Sequence, residues 1–175
     1  NLTLLVLRCL AIIFLVFSVV GIKYNYDAKV SSFSYVIAID SSGSMLALDI
    51  PPNRLEAAKD SAIVFIQALP LNSKVGIIDF SGATFIRSTI IEDKQKIIKS
   101  IRHINISLVG GTAIGDAIIT STNLLTSATQ ARAVIILTDG QNNIGATTPE
   151  AIDFANYNNI VINTIAVGTK EGGSF

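Results

Sequence analysis

Two short apolar runs that lead into aspartates constrain the fold of this chain more than any other sequence feature. Residues 35–39, Tyr-Val-Ile-Ala-Ile, precede Asp40, and residues 133–137, Ala-Val-Ile-Ile-Leu, precede Thr138 and Asp139. Apolar runs of this length without polar alternation are typical of strands that are covered on both faces, as in parallel sheets. Since parallel strands are joined by crossover helices, the two runs predict an α/β domain.

The segments around these runs alternate between helical and extended patterns. The predicted helices have apolar residues at helical spacing and cover residues 54–69, 93–104 and 114–128, with a fourth helix from Thr148. Further strands are predicted at residues 74–80, 83–91 and 160–167, and polar positions in 83–91 favour an antiparallel edge strand. The expected fold is a Rossmann-like, doubly wound, mostly parallel sheet with one antiparallel edge strand and helices on both faces.

The N-terminus holds much of the apolar excess of a chain in which half of the residues are hydrophobic. A membrane-spanning helix needs about 20 residues, and residues 2–22 reach that length if Arg8 snorkels towards the headgroups. We therefore predict a transmembrane anchor over residues 1–22. A buried core helix and a signal peptide are the alternatives, and no A-x-A-like cleavage site follows to support the latter.

Composition also indicates how the remaining chain is organised. Residues 23–34 are polar and predict a linker, and residues 35–175 form the predicted domain. The sequence ends soon after the last predicted strand, so we expect this domain to be truncated at its C-terminal end. Cys9 is the single cysteine, which excludes an intrachain disulfide.

Charge and motif content argue against several function classes. Thirteen basic and thirteen acidic residues balance, and no basic block predicts nucleic-acid binding. The sequence has neither a phosphate-binding Gly-x-x-x-x-Gly-Lys-Ser/Thr loop nor a Gly-x-Ser-x-Gly nucleophile turn. The single histidine, His103, is predicted on the surface of a helix, without a nucleophile as partner. We therefore expect no enzymatic activity.

Oxygen-bearing side chains follow both apolar runs and predict a metal site. Asp40, Ser42 and Ser44 alternate along the chain, so their side chains can point the same way, and Gly43 lets the loop bend around them. Asp139 is expected at the same sheet edge, where α/β folds bind ligands. Each acid taken alone could merely cap a loop or a helix. Together they suit Mg²⁺, which prefers oxygen ligands, and two acids would leave the cation open to an outside carboxylate.

These motifs resemble the metal-ion-dependent adhesion site of von Willebrand factor A domains. The resemblance rests on Asp40-x-Ser42-x-Ser44, on Thr112 in a Gly-Gly-Thr loop and on Asp139 in Thr-Asp-Gly, and it covers about residues 34–169. It implies that Ser42, Ser44 and Thr112 coordinate Mg²⁺ or Mn²⁺ through hydroxyls, and that Asp40 and Asp139 act directly or through water. It also implies a protein partner that completes the coordination with an acidic side chain.

A narrower resemblance connects the chain to membrane-anchored prokaryotic proteins of the Bat or aerotolerance type. It rests on residues 44–50 and 52–59, on Gly111-Thr112-Ala113-Ile114-Gly115-Asp116-Ala117 and on Thr138-Asp139-Gly140-Gln141-Asn142-Asn143. The resemblance implies a cell-membrane protein that is single-pass within this segment, with the domain outside the cytoplasm. It also implies a closing helix and a further membrane helix beyond residue 175.

The function that follows is a membrane-anchored, metal-dependent protein-binding module. A metal-dependent hydrolase or phosphotransferase, and a structural domain with an unused site, are the alternatives. Asp79 and Asp116 are expected to be structural, with a role for Asp116 behind the metal ligands as the alternative. Asp49 lies close enough to the metal loop to be a candidate partner contact.

Overall fold

The computed structural model describes residues 2–19 and 33–169, with side chains described for 2–12 and 33–169. The chain divides into two units, residues 1–30 and 31–175. In the first, helix α1 covers Leu2–Val19, and its described side chains at 2–12 are all exposed. Among the described residues, no helix is both long and apolar enough to cross a membrane. The end of the predicted anchor, 20–22, and most of the predicted linker, 23–32, lie outside the described residues.

The second unit is built on a five-stranded sheet in the order β3-β2-β1-β4-β5. Its strands are β1 Phe33–Asp40, β2 Lys74–Phe80, β3 Thr84–Ile91, β4 Ala131–Thr138 and β5 Val161–Ala166. Strand β1 is parallel to both β2 and β4, and β5 is parallel to β4. Strand β3 is antiparallel to β2 at one edge. The predicted mostly parallel sheet with one antiparallel edge strand is therefore confirmed.

Four helices cover the two faces of this sheet, as predicted. They are α2 Arg54–Ala68, α3 Lys94–Arg102, α4 Ile114–Leu125 and α5 Thr148–Tyr157. Successive residues of β1 point to opposite faces, so Ile37 packs in the layer of α2 and α3 while Val36 packs in the layer of α4 and α5. Burial on both faces explains why β1 has no polar alternation.

Capping side chains set where α2 and α5 begin. The Asn53 side chain accepts a hydrogen bond from the Glu56 amide, which caps α2. Helix α5 begins with a capping box in which Thr147 and Glu150 each bind the other's backbone, and Pro149 lies in its first turn. Local sequence therefore fixes these starts.

Strand boundaries differ slightly from those predicted. Strand β1 begins at Phe33 rather than at residue 35, so the last two residues of the predicted linker are part of the sheet. Strand β4 likewise begins at Ala131, two residues before the predicted apolar run, because the charged Arg132 interrupts the apolar pattern. Ladder pairing with β1 starts at Phe33 and Ala131, so the neighbouring strand, rather than side-chain polarity, decides these ends.

Candidate metal centre

The candidate centre lies where the direction of winding changes. Strand β1 is flanked by β2 on one side and by β4 on the other, and helices leave the sheet towards opposite faces. The carboxyl ends of β1 and β4 are adjacent because Ile39 pairs with Leu137. Both predicted acids follow directly from these ends, which is the position at which α/β sheets bind ligands.

Asp40 is fully buried at the end of β1. One carboxylate oxygen accepts the Ser42 amide at 2.8 Å, and the other accepts the Thr138 hydroxyl at 2.6 Å. Burial raises the pKa of Asp40 above its ordinary value, and the hydrogen bonds from Ser42 and Thr138 oppose that rise. The carboxylate is thus held in a fixed orientation in surroundings that disfavour an uncompensated negative charge.

The two serines link the first loop to the end of β4. After Ser42, a 3-10 turn at Gly43–Leu46 carries Ser44 towards Asp139. The Ser42 and Ser44 hydroxyl oxygens are 3.0 Å apart, and Ser44 donates to a carboxylate oxygen of Asp139 at 2.7 Å. Hydroxyls and a carboxylate that lie 95 positions apart in the sequence therefore share one hydrogen-bonded cluster.

Thr112 reaches the same edge from a third loop. Its amide donates to the Asn143 side chain at 2.8 Å, and its carbonyl accepts the Asn143 amide at 3.1 Å. A Cβ added at Gly140 would lie 3.7 Å from the Thr112 hydroxyl oxygen, which places that hydroxyl beside the turn that contains Asp139. Gly111 has a φ of +98°, and a Cβ there would lie 2.6 Å from Ile144, so only glycine fits this approach.

Arg54 belongs to the site, although sequence reasoning assigned it no role. Its guanidinium donates to the second oxygen of Asp139 at 2.6 Å and to both oxygens of Asp49 at 2.8 and 2.9 Å. Arg54 is the first residue of α2, where the helix dipole disfavours a positive charge. A basic residue at that position is a signal that acidic partners lie nearby.

Asp49 is engaged inside the domain rather than offered to a partner. Its carboxylate binds Arg54 and also accepts the Thr169 amide at 2.9 Å, and its side chain is 5% exposed. The Arg54 guanidinium lowers the pKa of Asp49 well below its ordinary range. The expectation that Asp49 contacts a partner is therefore not supported by its position.

The remaining acids have the structural placement that the sequence predicted. Asp79, buried near the end of β2, accepts hydrogen bonds from Arg87 and from the Ser41 hydroxyl. Asp116 accepts the Ala146 amide at 2.9 Å and so fastens the loop after β4 to the start of α4. His103 is exposed, as expected, and its ring nitrogen Nδ1 hydrogen-bonds the Lys99 carbonyl.

The donor set fits a hard cation better than a soft one. It consists of two carboxylates, Asp40 and Asp139, and the hydroxyls of Ser42, Ser44 and Thr112, all at one edge of the sheet. Within the described residues, no three His, Cys, Asp or Glu side chains cluster in a way that could hold a metal ion. A cation here would therefore depend on the hydroxyl oxygens, which suit Mg²⁺ or Mn²⁺ and offer neither the thiolate nor the imidazole that Zn²⁺ usually takes.

Exposed apolar side chains lie on the loops that carry this donor set. They are Leu46, Leu48, Leu108, Val109 and Ile144, which we call the apolar rim. Each loop is fastened to the site, since the Ser107 amide donates to the Ser41 carbonyl at 2.8 Å and the Asn143 amide donates to the Thr112 carbonyl. Large solvent-exposed apolar side chains around a polar centre are a feature of interaction surfaces.

Comparison with known proteins identifies relatives of the domain. A sequence profile of the von Willebrand factor type A domain matches residues 35–141. The conserved hypothetical protein BatB from Bacteroides thetaiotaomicron is 36% identical with a TM-score of 0.75, over 81% of this chain and 70% of that chain. An aerotolerance-related membrane protein from Bacteroides fragilis is 34% identical with a TM-score of 0.75, over 81% and 71%.

A curated relative covers a longer chain. A UPF0353 protein from Mycolicibacterium paratuberculosis is 27% identical over 151 residues, which are 78% of this chain and 45% of that protein. This chain spans about half the length of the curated relatives of that name.

Proposed function

This chain belongs to the von Willebrand factor type A domain family, and from that premise we propose that it is a protein-binding module centred on one Mg²⁺ or Mn²⁺. The observation that carries the proposal is the junction of β1 and β4. There the hydroxyls of Ser42 and Ser44 lie between two strand-end carboxylates, and Ser44 already donates to Asp139 at 2.7 Å. A bound cation would supply positive charge and an open position for a partner's carboxylate.

Each residue of the donor set has a distinct part in the proposal. Asp40, held by the Ser42 amide and the Thr138 hydroxyl, provides a buried negative charge that cannot turn away. Ser42, Ser44 and Thr112 contribute neutral oxygens, so the site has only two formal negative charges. A hard cation in such a site stays under-neutralised and favours an acidic side chain from outside.

The surface around the site supports a protein as the partner. The apolar rim gives a partner something to bury besides a single carboxylate, and burial of apolar area is the main driving force of protein association. We infer that a partner presents an Asp or Glu flanked by apolar side chains. The proposal includes no reaction, and the residues of the site act by holding and orienting charge.

We also propose that the chain is attached to a membrane through its N-terminal segment, with the domain outside the cytoplasm. The described side chains at 2–12 are exposed and apolar apart from Thr3 and Arg8, and the related Bacteroides fragilis protein is named a membrane protein. Extraction with high-pH carbonate tests the attachment, because an anchored chain stays in the membrane pellet. Protease accessibility in intact and permeabilised cells tests the side.

Metal titration of the full chain tests the core of the proposal. Calorimetry in detergent should give one Mg²⁺ per chain for the wild type, and Asp40→Asn should weaken that binding strongly. Asp153→Asn is the matched control, because Asp153 is an exposed acid on α5. Absence of Mg²⁺ and Mn²⁺ binding to a folded wild-type chain at millimolar metal would falsify the proposal.

Partner capture tests the second half of the proposal. Retention of a protein partner should require Mg²⁺, should be lost in EDTA and should fall in Thr112→Ala. Thr126→Ala is the control, since Thr126 is an exposed threonine at the end of α4. A partner that binds equally well in EDTA would show that the contact surface lies elsewhere.

A further inference from the structure

The guanidinium of Arg54 is fully engaged beside the candidate metal centre. Its Nη1 donates to Asp139 Oδ2 at 2.6 Å, its Nε to Asp49 Oδ1 at 2.8 Å and its Nη2 to Asp49 Oδ2 at 2.9 Å. The side chain is 13% exposed, and the two carboxylates that it joins are 5% and 2% exposed. A positive charge is thus fixed within hydrogen-bonding distance of a candidate metal ligand.

We propose that Arg54 is a built-in counter-charge of the metal site, which neutralises part of the charge on Asp139 and so limits how tightly the site holds a divalent cation. The inference rests on the proposed function, because it concerns the affinity of that same site. Arg54 acts as a positioning residue, since it touches Asp139 rather than the place of the cation.

The charges around the site explain why a counter-charge is needed. Asp49 and Asp139 are two carboxylates held by one guanidinium, and without a positive charge between them their repulsion would oppose folding. Arg54 lies between them and stabilises the metal-free domain. The same positive charge repels an incoming divalent cation, so stability without metal is gained at the expense of affinity for metal.

The segment after β5 keeps this charge in place. Asp49 accepts the Thr169 amide at 2.9 Å and the Thr169 hydroxyl at 3.1 Å. A Cβ added at Gly168 would lie 3.5 Å from the Arg54 guanidinium, so the backbone passes directly over the pair. Arg54 therefore has no open path to solvent past Gly168, and its charge stays beside Asp139 when a cation arrives.

The two partners of the pair predict opposite changes in metal affinity. Arg54→Gln removes the positive charge and should tighten Mg²⁺ binding by about tenfold, from the order of magnitude of a charge interaction across a partly screened site. Asp49→Asn leaves the whole Arg54 charge on Asp139 and should weaken binding several-fold. Arg54→Lys keeps the charge but cannot reproduce the three hydrogen bonds of the guanidinium, so its Mg²⁺ affinity should lie between those of the wild type and Arg54→Gln.

The experiment measures Mg²⁺ affinity by calorimetry and melting temperature in EDTA, on the full chain in detergent. Arg132→Gln is the matched control, because it removes the same charge at the amino end of β4, where Arg132 donates to the Asn158 carbonyl. Arg54→Gln should bind Mg²⁺ more tightly than Arg132→Gln and melt at a lower temperature in EDTA.

The outcomes separate the two proposals. If the wild type binds Mg²⁺ and Arg54→Gln binds it equally or more weakly, the counter-charge role is wrong while the metal site stands. If Asp49→Asn tightens binding, the sign is wrong and the role is again overturned. If the folded wild type binds no divalent metal, the proposed function is wrong and the inference is overturned with it.

Discussion

Asp79 and Asp139 are both nearly buried acids at the carboxyl edge of the sheet, and both bind an arginine, but they are paired in different ways. Arg87 donates to both oxygens of Asp79, and the Ser41 hydroxyl completes that pair. Arg54 donates to one oxygen of Asp139 only, and the other oxygen joins the hydroxyl cluster through Ser44. Both oxygens of Asp79 are bound by Arg87, so this pair is structural, whereas Asp139 keeps one oxygen directed at the candidate metal site.

The largest expected difference between Asp139 and Asp79 is in their effect on Mg²⁺ affinity. Asp139→Asn should weaken Mg²⁺ binding by about 100-fold, which corresponds to about 2.7 kcal/mol, because the oxygen that accepts the Ser44 hydroxyl lies in the donor set. Asp79→Asn should leave the affinity within about threefold, because both of its oxygens are already occupied by Arg87. Calorimetry on the two variants decides, and equal losses would show that Asp79 belongs to the site.

Stability should show the reverse order. In EDTA, Asp79→Ala should lower the free energy of unfolding by about 2 kcal/mol. This is less than the full loss of a buried pair, because the Arg87 side chain is 41% exposed and can turn to water. Asp139→Ala should cost less, since Arg54 keeps Asp49 as a partner. Denaturant unfolding of both variants measures the difference, and a larger loss in Asp139→Ala would contradict the distinction.

Asp40 extends the comparison to an acid without any arginine. Because burial raises its pKa above the ordinary 3.8, ionised Asp40 lowers the stability of the metal-free fold at neutral pH, and this penalty disappears as the pH falls through the raised pKa. In EDTA at pH 7, Asp40→Asn should therefore melt at a higher temperature than the wild type.

The pH dependence provides the control for that prediction. The advantage of Asp40→Asn should shrink as the pH falls, because the wild-type carboxyl then becomes protonated. Asn can keep the bond from the Ser42 amide and can donate to the Thr138 hydroxyl, so residue 40 keeps two hydrogen bonds, although the Thr138 hydroxyl proton loses its acceptor. A variant that melts lower than the wild type in EDTA at every pH would show that Asp40 stabilises the fold by its charge.

The smallest expected effect concerns the third loop, which neither arginine touches. Asn143→Ala removes the acceptor of the Thr112 amide, so Thr112 should be less well placed and Mg²⁺ affinity should fall about threefold to fivefold, as for the loss of one hydrogen bond. Asn123→Ala, at an exposed position of α4, is the control. An unchanged affinity in Asn143→Ala would mean that Thr112 is held by the rest of its loop or does not contribute.

Much of the fold could be predicted because the decisive signals are local. The apolar runs at 35–39 and 133–137 identify β1 and β4, and the polar hairpin partner at 83–91 identifies the antiparallel edge. Parallel strands bring their carboxyl ends to one edge, so the closeness of Asp40 and Asp139 also follows from the order of the elements. Spacing within one loop was enough to group Ser42 and Ser44.

Tertiary structure alone decided which charges are paired. Arg54 and Asp139 are 85 positions apart, and Thr112 and Asn143 are 31 apart, so no local pattern reports that they meet. The polarity of the residues also does not predict that Arg87 binds both oxygens of Asp79, while the two oxygens of Asp139 bind Arg54 and Ser44. The sequence determined the strands and the edge where the acids gather, because periodicity and apolar runs act over neighbouring residues. Pairing of side chains depends on where distant loops cross, and only the packed domain sets that.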